Sequence, residues 1–340
     1  RYKAFKGSEE SGMVIVPTEL ITDNGGKLRS IILQLAQQNK LESNFIKWLE
    51  SANQFCNSLV DRIVPGQLPA PDQKATEEKL GYTDDLMIMA EPFRLWVIES
   101  DNKKVKEVLS FSQVDNGVVI SPDIEKFREL KLRLLNGTHT FCCGLAVVGG
   151  FETVKDAMND ERMLGFVKKL MLQEIAQSMD NSVVSFDEAW AFANKVLDRF
   201  RNPFLQHKWL SICLNYTSKM RMRNISLLER YYSKTGSIPA SMALGFAGFI
   251  LFMKGSKGND GKYYGEAKGG SYLIEDENAA WFAERWALND IDKTVEKILS
   301  GEEMWGVNLS VFNGFSQTVK ENIRIIQKEG VLSVINSGQL

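Results

Sequence analysis

The sequence has few of the residues that metal sites and disulfide frameworks require. Its 340 residues include only two histidines and four cysteines, which are His139, His207, Cys56, Cys142, Cys143 and Cys213. No cysteine stands at a spacing typical of metal ligands, and the adjacent pair is poorly placed to bridge to itself. We therefore expect free thiols in a reducing cytoplasm and a site without metal.

The sequence also lacks an excess of basic charge and a long hydrophobic run. Its net charge is -2, and its lysines and arginines are scattered, which disfavours binding to nucleic acid or to an anionic membrane. The most apolar stretch, residues 240–253, is too short to span a bilayer, and Pro239 before it favours a buried helix. Neither nucleic acid nor membrane is an expected partner.

Residues 12–121 combine short apolar runs with helical patterns. The run 13–16, bounded by Gly12 and Pro17, predicts a buried strand. The runs 86–90, 95–98 and 118–120 predict further strands, and the Pro-rich, charged segment 65–79 predicts a surface loop. We therefore predict an α/β domain over residues 1–121, the distal half of a nucleotide-binding domain.

Residues 122–340 have the pattern of long helices. Ser185 and Glu188 form the sequence of a capping box, and Pro203 stands where a helix begins. No strand pattern is found before residues 272–274, and the glycine-rich segment 254–270 predicts an exposed loop or hairpin. This second domain is predicted to be mostly α-helical.

One predicted helix, over residues 131–140, carries polar groups inside an apolar surface. At the α-helical spacing, Lys131, Asn136 and His139 lie within an arc of roughly 140° and could face one site. The helix is otherwise apolar all round and should be buried. Burial lowers the pKa of a lysine and lets it donate and accept protons near neutral pH. The alternative is a Lys131 that extends to the surface and a His139 satisfied within the core.

The pattern Lys131-Leu-x-x-Leu-Asn136-x-x-His139 resembles the catalytic signature of the long-chain polyol-specific dehydrogenases, the mannitol dehydrogenase family. Segments 16–21, 55–66 and 199–203 resemble its tagaturonate-reducing branch. The resemblance implies a partial Rossmann-type domain followed by a helical domain like the C-terminal domain of 6-phosphogluconate dehydrogenase. It implies NAD-dependent reduction of D-tagaturonate to D-altronate in cytoplasmic hexuronate catabolism, by a monomer or weak homo-oligomer.

The same resemblance implies roles for the central residues. Lys131 would be the general acid in reduction, Asn136 would donate its amide to the oxyanion, and His139 would bind a substrate hydroxyl or orient Lys131. The resemblance also points to substrate contacts at Glu19, Asp61, Ser211 and Lys219, and the polar stripe described below adds His207 and Arg221 to the predicted substrate-binding residues.

Three of these positions carry qualifications. Glu19 stands where mannitol enzymes have an asparagine, so it either binds substrate hydroxyls or is kept neutral by burial. Asp61 has an equal alternative as a structural residue beside Arg62. Ser211 stands roughly where mannitol enzymes have an arginine. A further departure is Arg128, where those enzymes place a glutamate thought to pass protons to solvent.

A uronate has a carboxylate that needs a cation. At successive four-residue steps, the predicted helix after Pro203 carries one polar stripe of His207, Ser211, Asn215 and Lys219, and Arg221 and Arg223 follow. The stripe either lines a cleft or is a solvated helix face.

The sequence contains no strand followed by G-x-G-x-x-G, and it opens at Arg1 rather than Met. We therefore expect a fragment, or the ordered part, of a longer protein, with cofactor-binding residues outside this sequence. The open alternatives are oxidoreduction of fructuronate, mannitol or mannitol 1-phosphate, a non-catalytic helical fragment, and a metal-dependent hydrolase.

Overall fold

The computed structural model describes residues 1–336, which divide into two compact units, the first ending at Arg128 and the second beginning at Glu129. The predicted boundary lies a few residues earlier, between residues 121 and 122. The assignment of cofactor binding to one domain and substrate binding to the other stays a prediction.

The first unit has the predicted mixture of strands and helices. Its strands are β1 Val14–Ile15, β2 Gln54–Phe55, β3 Ser58–Asp61, β4 Gly66–Gln67, β5 Ile88–Met89, β6 Leu95–Glu99 and β7 Val118–Ser121. Its helices are α1 Asn24–Gln38, α2 Ser43–Ala52, α3 Ala70–Leu80, α4 Lys103–Val108 and α5 Glu125–Glu129, of which the last ends at the first residue of the second unit. Strands β1 and β2 pair in parallel, as do β6 and β7, while β3–β6 and β4–β5 are antiparallel.

Strand β6 is covered on both faces. Successive side chains of a strand point to opposite faces, and both Val97 and Ile98 have no exposed surface. Ile98 packs with Cys56 and Val105 in one cluster, while Val97 packs with Leu59 and Ile124 in another. This burial on both sides explains why β6 is a nearly continuous apolar run in the sequence.

Two predictions for the first unit are wrong. The segment 65–79 is not a loop, because helix α3 occupies most of it. None of the α3 residues is buried, so the helix lacks the apolar periodicity that would have predicted it. The strand expected over 86–90 is limited to Ile88–Met89, paired with β4.

The second unit is mostly α-helical, as predicted. Its helices are α6 Thr138–Val148, α7 Val154–Asn159, α8 Glu161–Lys168, α9 Ala176–Ser178, α10 Phe186–Phe200, α11 Trp209–Ile212, α12 Tyr216–Thr235, α13 Ala240–Phe252, α14 Ala279–Trp286, α15 Ile291–Leu299, α16 Glu302–Trp305, α17 Phe315–Glu329 and α18 Val331–Asn336. The capping box of Ser185 and Glu188 begins α10, as the sequence indicated.

Helix α13 forms the centre of this unit. Every residue from Ser241 to Phe252 is buried, and Pro239 precedes the helix as predicted. Its first amides are satisfied from outside the helix, since the buried carboxylate of Glu174 accepts bonds from Ser241 N (2.7 Å) and Met242 N (2.8 Å). Desolvation raises the pKa of Glu174. No helix within residues 1–336 is long and apolar enough to cross a membrane.

The glycine-rich segment 254–270 forms two strands of a small antiparallel sheet. The sheet has the order β10-β9-β8, with β8 Gly255–Lys257, β9 Tyr263–Ala267 and β10 Gly270–Leu273. The expected hairpin is confirmed, but the expectation of no strand before residue 272 is wrong. Gly261, between β8 and β9, and Gly270, the first residue of β10, adopt positive φ, which glycine does without steric cost.

Candidate functional site

The segment with Lys131 and Asn136 is helical, but it is not an α-helix. Residues Leu130–Gly137 form a π-helical segment between α5 and α6. A π turn closes between residues i and i+5. Lys131 and Asn136, which are five positions apart, therefore lie nearly one above the other, and the α-helical arc expected for them is wrong. Both side chains are partly exposed, and such π segments are frequent at functional sites.

Helix α12 braces this π-helical segment. Arg133 donates from Nη1 to the carbonyl oxygens of Met222 (3.1 Å) and Arg223 (2.7 Å). Asn224 Nδ2 donates to the carbonyl oxygen of Gly137 (3.3 Å). These side-chain bonds link the middle and the last residue of the segment to α12, and the segment that carries Lys131 and Asn136 is therefore held by a second helix.

His139 lies in the first turn of α6 and is buried, with 5% of its surface exposed. Its ring stacks on Phe200, with centroids 4.2 Å apart, and contacts His207 edge to face at 5.4 Å. The ring of Trp209 also contacts His139 edge to face, with centroids 6.0 Å apart. Among residues 1–335, no hydrogen-bond partner is found for the buried Nε2 of His139. The alternative of a core histidine with both nitrogens satisfied is therefore not supported.

Both histidines of this group are neutral at physiological pH. Burial, followed by the charges of His207 and Arg223, holds the pKa of His139 well below its usual value. Burial and the nearby Lys219 lower the pKa of His207 to about 4. A neutral imidazole has one donor and one acceptor nitrogen, so each ring can bind a hydroxyl group.

The charged groups that act on the pKa of His139 are cations, and one of them, Lys219, has Asp276 as an acidic neighbour. The electrostatic neighbours of His139 include Arg199, Lys219 and Arg223. Lys219 donates from Nζ to the carbonyl oxygen of Ile212 (2.9 Å), and burial lowers its pKa. The cluster therefore combines two neutral imidazoles with a surplus of positive charge, which suits a small polyhydroxylated anion.

Thr140 connects this cationic cluster to the π-helical segment. Its Oγ1 donates to the carbonyl oxygen of Asn136 (2.8 Å) and accepts a bond from Arg223 Nη1 (3.1 Å). Thr140 O also accepts from the hydroxyl of Tyr216 (2.7 Å). Hydrogen bonds through Thr140 thus join Arg223 of α12 to the backbone carbonyl of Asn136.

The predicted polar stripe does not lie on one helix. Residues 201–208 form no helix after Pro203, α11 spans only Trp209–Ile212, and α12 begins after Asn215, which has the left-handed φ of 50°. His207 precedes α11, where Lys208 pairs with Thr153 in an isolated β-bridge. The chain reversal nevertheless places His207 and Lys219 near His139, while Ser211 is exposed and donates to Lys208 O (2.7 Å).

Arg221 is exposed, whereas Arg223, two positions later on α12, is partly buried beside Thr140. The sequence analysis named Arg223 only as one of the cations that follow the polar stripe, and it gave no role to Phe200 or Trp209. The i, i+4 relation of Lys219 and Arg223 was visible in the sequence. No pattern in the sequence indicated that loop 201–208 would return Phe200 and Trp209 to the imidazole of His139.

The two candidates in the first unit differ in burial. Glu19 is exposed, so burial offers no reason for a neutral carboxyl at this position, and its role with substrate hydroxyls stays a prediction. Its backbone oxygen accepts from Asn24 Nδ2 (3.1 Å), and the same amide group donates to Ser58 O (3.0 Å). Asp61 ends β3 and is buried, with 3% of its surface exposed.

Arg128 forms an ion pair with Glu125 at the start of this helical run. At the position where mannitol enzymes have a glutamate, this chain therefore has a partly exposed arginine that is paired with an acidic side chain. Within residues 1–335, no group of three or more histidine, cysteine or acidic side chains could hold a metal ion.

The His207 pKa predicts a loss of stability in acid. The unfolded histidine binds a proton near pH 6.5, whereas the folded one binds it only near pH 4. As pH falls from 6.5 to 4, the unfolded state takes up more protons, and we expect the free energy of unfolding to fall by about 3 kcal/mol from this group. Urea unfolding at pH 7 and pH 4.5 measures this loss, which His207→Gln should reduce. Equal losses in both proteins would contradict the assignment.

Two models of one family match this sequence. The mannitol dehydrogenase Rossmann domain matches residues 1–110, and the mannitol dehydrogenase C-terminal domain matches residues 123–327. The altronate oxidoreductase of Halalkalibacterium halodurans is 35% identical over 343 residues, covering 99% of this chain and 66% of that protein. The altronate oxidoreductase of Enterobacter sp. (strain 638) is also 35% identical, covering 98% of this chain and 68% of that protein. The chain thus spans about two thirds of the length of these relatives.

A solved structure shares the fold. The ternary complex of Pseudomonas fluorescens mannitol 2-dehydrogenase with NAD and D-mannitol superposes with a TM-score of 0.71 at 21% identity. The match covers 95% of this chain and 61% of that one. The likeness confirms a Rossmann-type domain followed by a mostly helical domain.

Proposed function

The chain belongs to the mannitol dehydrogenase family, and on that premise we propose that the protein interconverts D-tagaturonate and D-altronate with NADH and NAD. The observation that carries the proposal is the surplus of cations around two neutral histidines, joined through Thr140 to the turn of Asn136. A sugar acid supplies both the hydroxyls and the negative charge that this group lacks. The similarity to altronate oxidoreductases supports the same substrate.

The first unit has features that fit a dinucleotide. Open α/β sheets bind nucleotides at the carboxyl ends of parallel strands. Strand β1, which pairs in parallel with β2, is followed by Thr18, and strand β7, which pairs in parallel with β6 in a separate sheet, ends in Ser121. Hydroxyl side chains of this kind suit the ribose hydroxyls. No residue of this sequence is assigned to the pyrophosphate, because the G-x-G-x-x-G turn is absent from it. When bound, NADH supplies the hydride that the carbonyl carbon receives.

The chain's own residues would complete the reduction. As the carbonyl oxygen gains negative charge, the amide of Asn136 donates a hydrogen bond to it. Lys131 then transfers a proton from Nζ to this oxygen, which gives the alcohol, and it removes the same proton in the oxidation. The π-helical segment supports this division of roles because it brings Lys131 and Asn136 nearly into line.

The remaining candidates would bind the rest of the sugar. The neutral imidazoles of His139 and His207 would bind substrate hydroxyls, and Lys219 would lie near the charged end of the substrate. We also propose that Glu19, Asp61, Ser211 and Arg221 bind the substrate, as predicted from the sequence. The cytoplasmic location and the monomeric or weakly associating state also stay predictions.

Turnover by the full-length protein tests the proposal. We expect NADH oxidation with D-tagaturonate to exceed that with D-fructuronate, D-fructose and fructose 6-phosphate, which represent the other activities of the family. A higher kcat/KM for one of these compounds would contradict the substrate proposed here. No NADH oxidation with any of them would contradict the proposed reaction.

A further inference from the structure

Arg223 is a cation of the second unit whose side chain contacts a hydroxyl group rather than a carboxylate. It is partly buried on α12, and its guanidinium donates to Thr140 Oγ1. Among the described residues, no aspartate or glutamate forms an ion pair with it. Burial lowers its pKa, and Cys143 acts in the opposite direction.

Two other cations of this unit, Arg133 and Arg230, are paired with a carboxylate. Arg133 contacts Glu129 at 3.2 Å, and Arg230 contacts the same carboxylate at 2.8 Å. Taking a cation out of water is costly unless a negative charge compensates it. The fold supplies that compensation to Arg133 but not to Arg223.

Lys219 increases the imbalance at Arg223. The two cations lie one turn apart on α12, and like charges at this spacing repel each other. Their repulsion contributes to the lowered pKa of Lys219, after desolvation, while Cys143, Cys213 and Asp276 act in the opposite direction. Neither neighbouring histidine can offset the charge, since an imidazole is either neutral or cationic. An arrangement with this cost is expected where an anionic ligand completes it.

We propose that Arg223 binds the carboxylate of the sugar-acid substrate and thereby selects sugar acids over uncharged sugars. The inference rests on the proposed function, because it names the group that recognises the substrate's charged end. A guanidinium presents parallel N–H donors that match the two oxygens of a carboxylate. An uncharged sugar would leave this partly buried cation without its partner, and a site with an unmatched polar group rejects such a ligand.

Arg223 rather than Arg221 has this role because of its position on the helix. Arg221 is exposed to solvent, where a carboxylate gains little from a single cation. Arg223 instead contacts Thr140, the residue that bonds the turn of Asn136. A carboxylate on Arg223 would thus be held near the segment proposed to act on the carbonyl group.

Substrate preference of the full-length protein tests the assignment. We compare wild type, Arg223→Met and Arg223→Lys with D-tagaturonate and with uncharged D-tagatose. Arg223→Met should lower kcat/KM for D-tagaturonate by about 10- to 100-fold, mainly through KM, and leave that for D-tagatose unchanged or higher. Arg223→Lys should recover part of the lost kcat/KM, since lysine keeps the positive charge but lacks the paired N–H donors of a guanidinium.

A matched control is Arg285→Met. Arg285 is also partly buried, with its guanidinium 3.3 Å from the ring centroid of Trp281, but it is not among the neighbours of His139. Its replacement should leave the preference for the charged substrate unchanged. Calorimetric titration of D-altronate into each protein without cofactor gives a readout independent of turnover, and urea midpoints verify folding.

The outcomes separate this inference from the proposed function. Wild-type protein that turns over no sugar acid contradicts the proposed function, and D-altronate binding lost in Arg223→Met would still support the carboxylate contact. Turnover by wild type with an unchanged preference in Arg223→Met overturns the assignment of Arg223 alone. A change of preference in Arg221→Met but not in Arg223→Met would also overturn it. A fall in kcat for both substrates with unchanged KM would show a purely structural role.

Discussion

Replacing Lys131 by methionine is expected to lower kcat for D-tagaturonate reduction by about 10²- to 10⁴-fold. Methionine keeps most of the aliphatic length but cannot donate or accept the proton that completes the alcohol. The π-helical segment would continue to position Asn136, so stabilisation of the oxyanion should persist and keep a residual rate. KM should change far less than kcat, because the proposed role of Lys131 lies in the transition state.

Lys169→Met is a matched control for this prediction. Lys169 is also partly exposed and opens the other π-helical segment of the chain, Lys169–Ile175. It should retain wild-type kcat if the lost activity comes from the chemistry of Lys131 rather than from changing a lysine in a π turn. Single-turnover measurements with NADH at saturating D-tagaturonate isolate the chemical step. Full activity of Lys131→Met would remove the proposed general acid.

Much of the fold could be predicted because its signals are local. Ser185 and Glu188 mark the start of α10 by their spacing alone, and Pro239 marks the start of the most buried helix. The buried strand β6 has a continuous apolar run. Helix α3 was missed because none of its residues is buried, which leaves its sequence without the periodicity that distinguishes a helix from a loop.

The candidate site was harder to predict because its geometry is not local. Lys131, Asn136 and His139 were selected by their residue types, but the α-helical arc assumed for them fails where the helix widens into a π segment. That segment is braced by Arg133 and Asn224, whose bonds link positions far apart in the sequence. His207 was placed on a helix that does not exist, and its proximity to His139 results from a chain reversal. The excess of positive charge around His139 also could not be predicted, because only tertiary contacts show which arginines have acidic partners.

Helix α6, which carries His139, depends on a close crossing with α13. Glycines stand at the crossing on both helices: a Cβ added at Gly144 would lie 2.9 Å from Gly248 O, and one at Gly245 would lie 2.8 Å from Phe141 Cβ. Glycine inside a helix costs about 1 kcal/mol relative to alanine. Its presence at these positions indicates that the close approach of the two backbones outweighs that cost.

Gly248→Ala is therefore expected to lower the free energy of unfolding of the second unit by about 3 kcal/mol or more. The added Cβ would lie 2.7 Å from Leu145 Cβ and 2.8 Å from both Cα and N of Leu145. Two of these are backbone atoms, so no rotamer change relieves the overlap and the two helices must separate. Separation would weaken the fully buried core along α13 and shift α6, with His139 in its first turn. Urea unfolding followed by tryptophan fluorescence measures the effect, since Trp209, Trp286 and Trp305 lie in this unit.

Gly165→Ala separates steric overlap from helix propensity in the same experiment. Gly165 lies inside α8, and a Cβ added there would meet no atom within 4 Å. The same chemical change should therefore stabilise the protein, by up to about 1 kcal/mol, because alanine favours the helix. Opposite signs at Gly248 and Gly165 would establish that the α6–α13 crossing requires glycine. A neutral or stabilising Gly248→Ala would mean that the two helices tolerate a wider separation, and that the placement of His139 does not depend on this crossing.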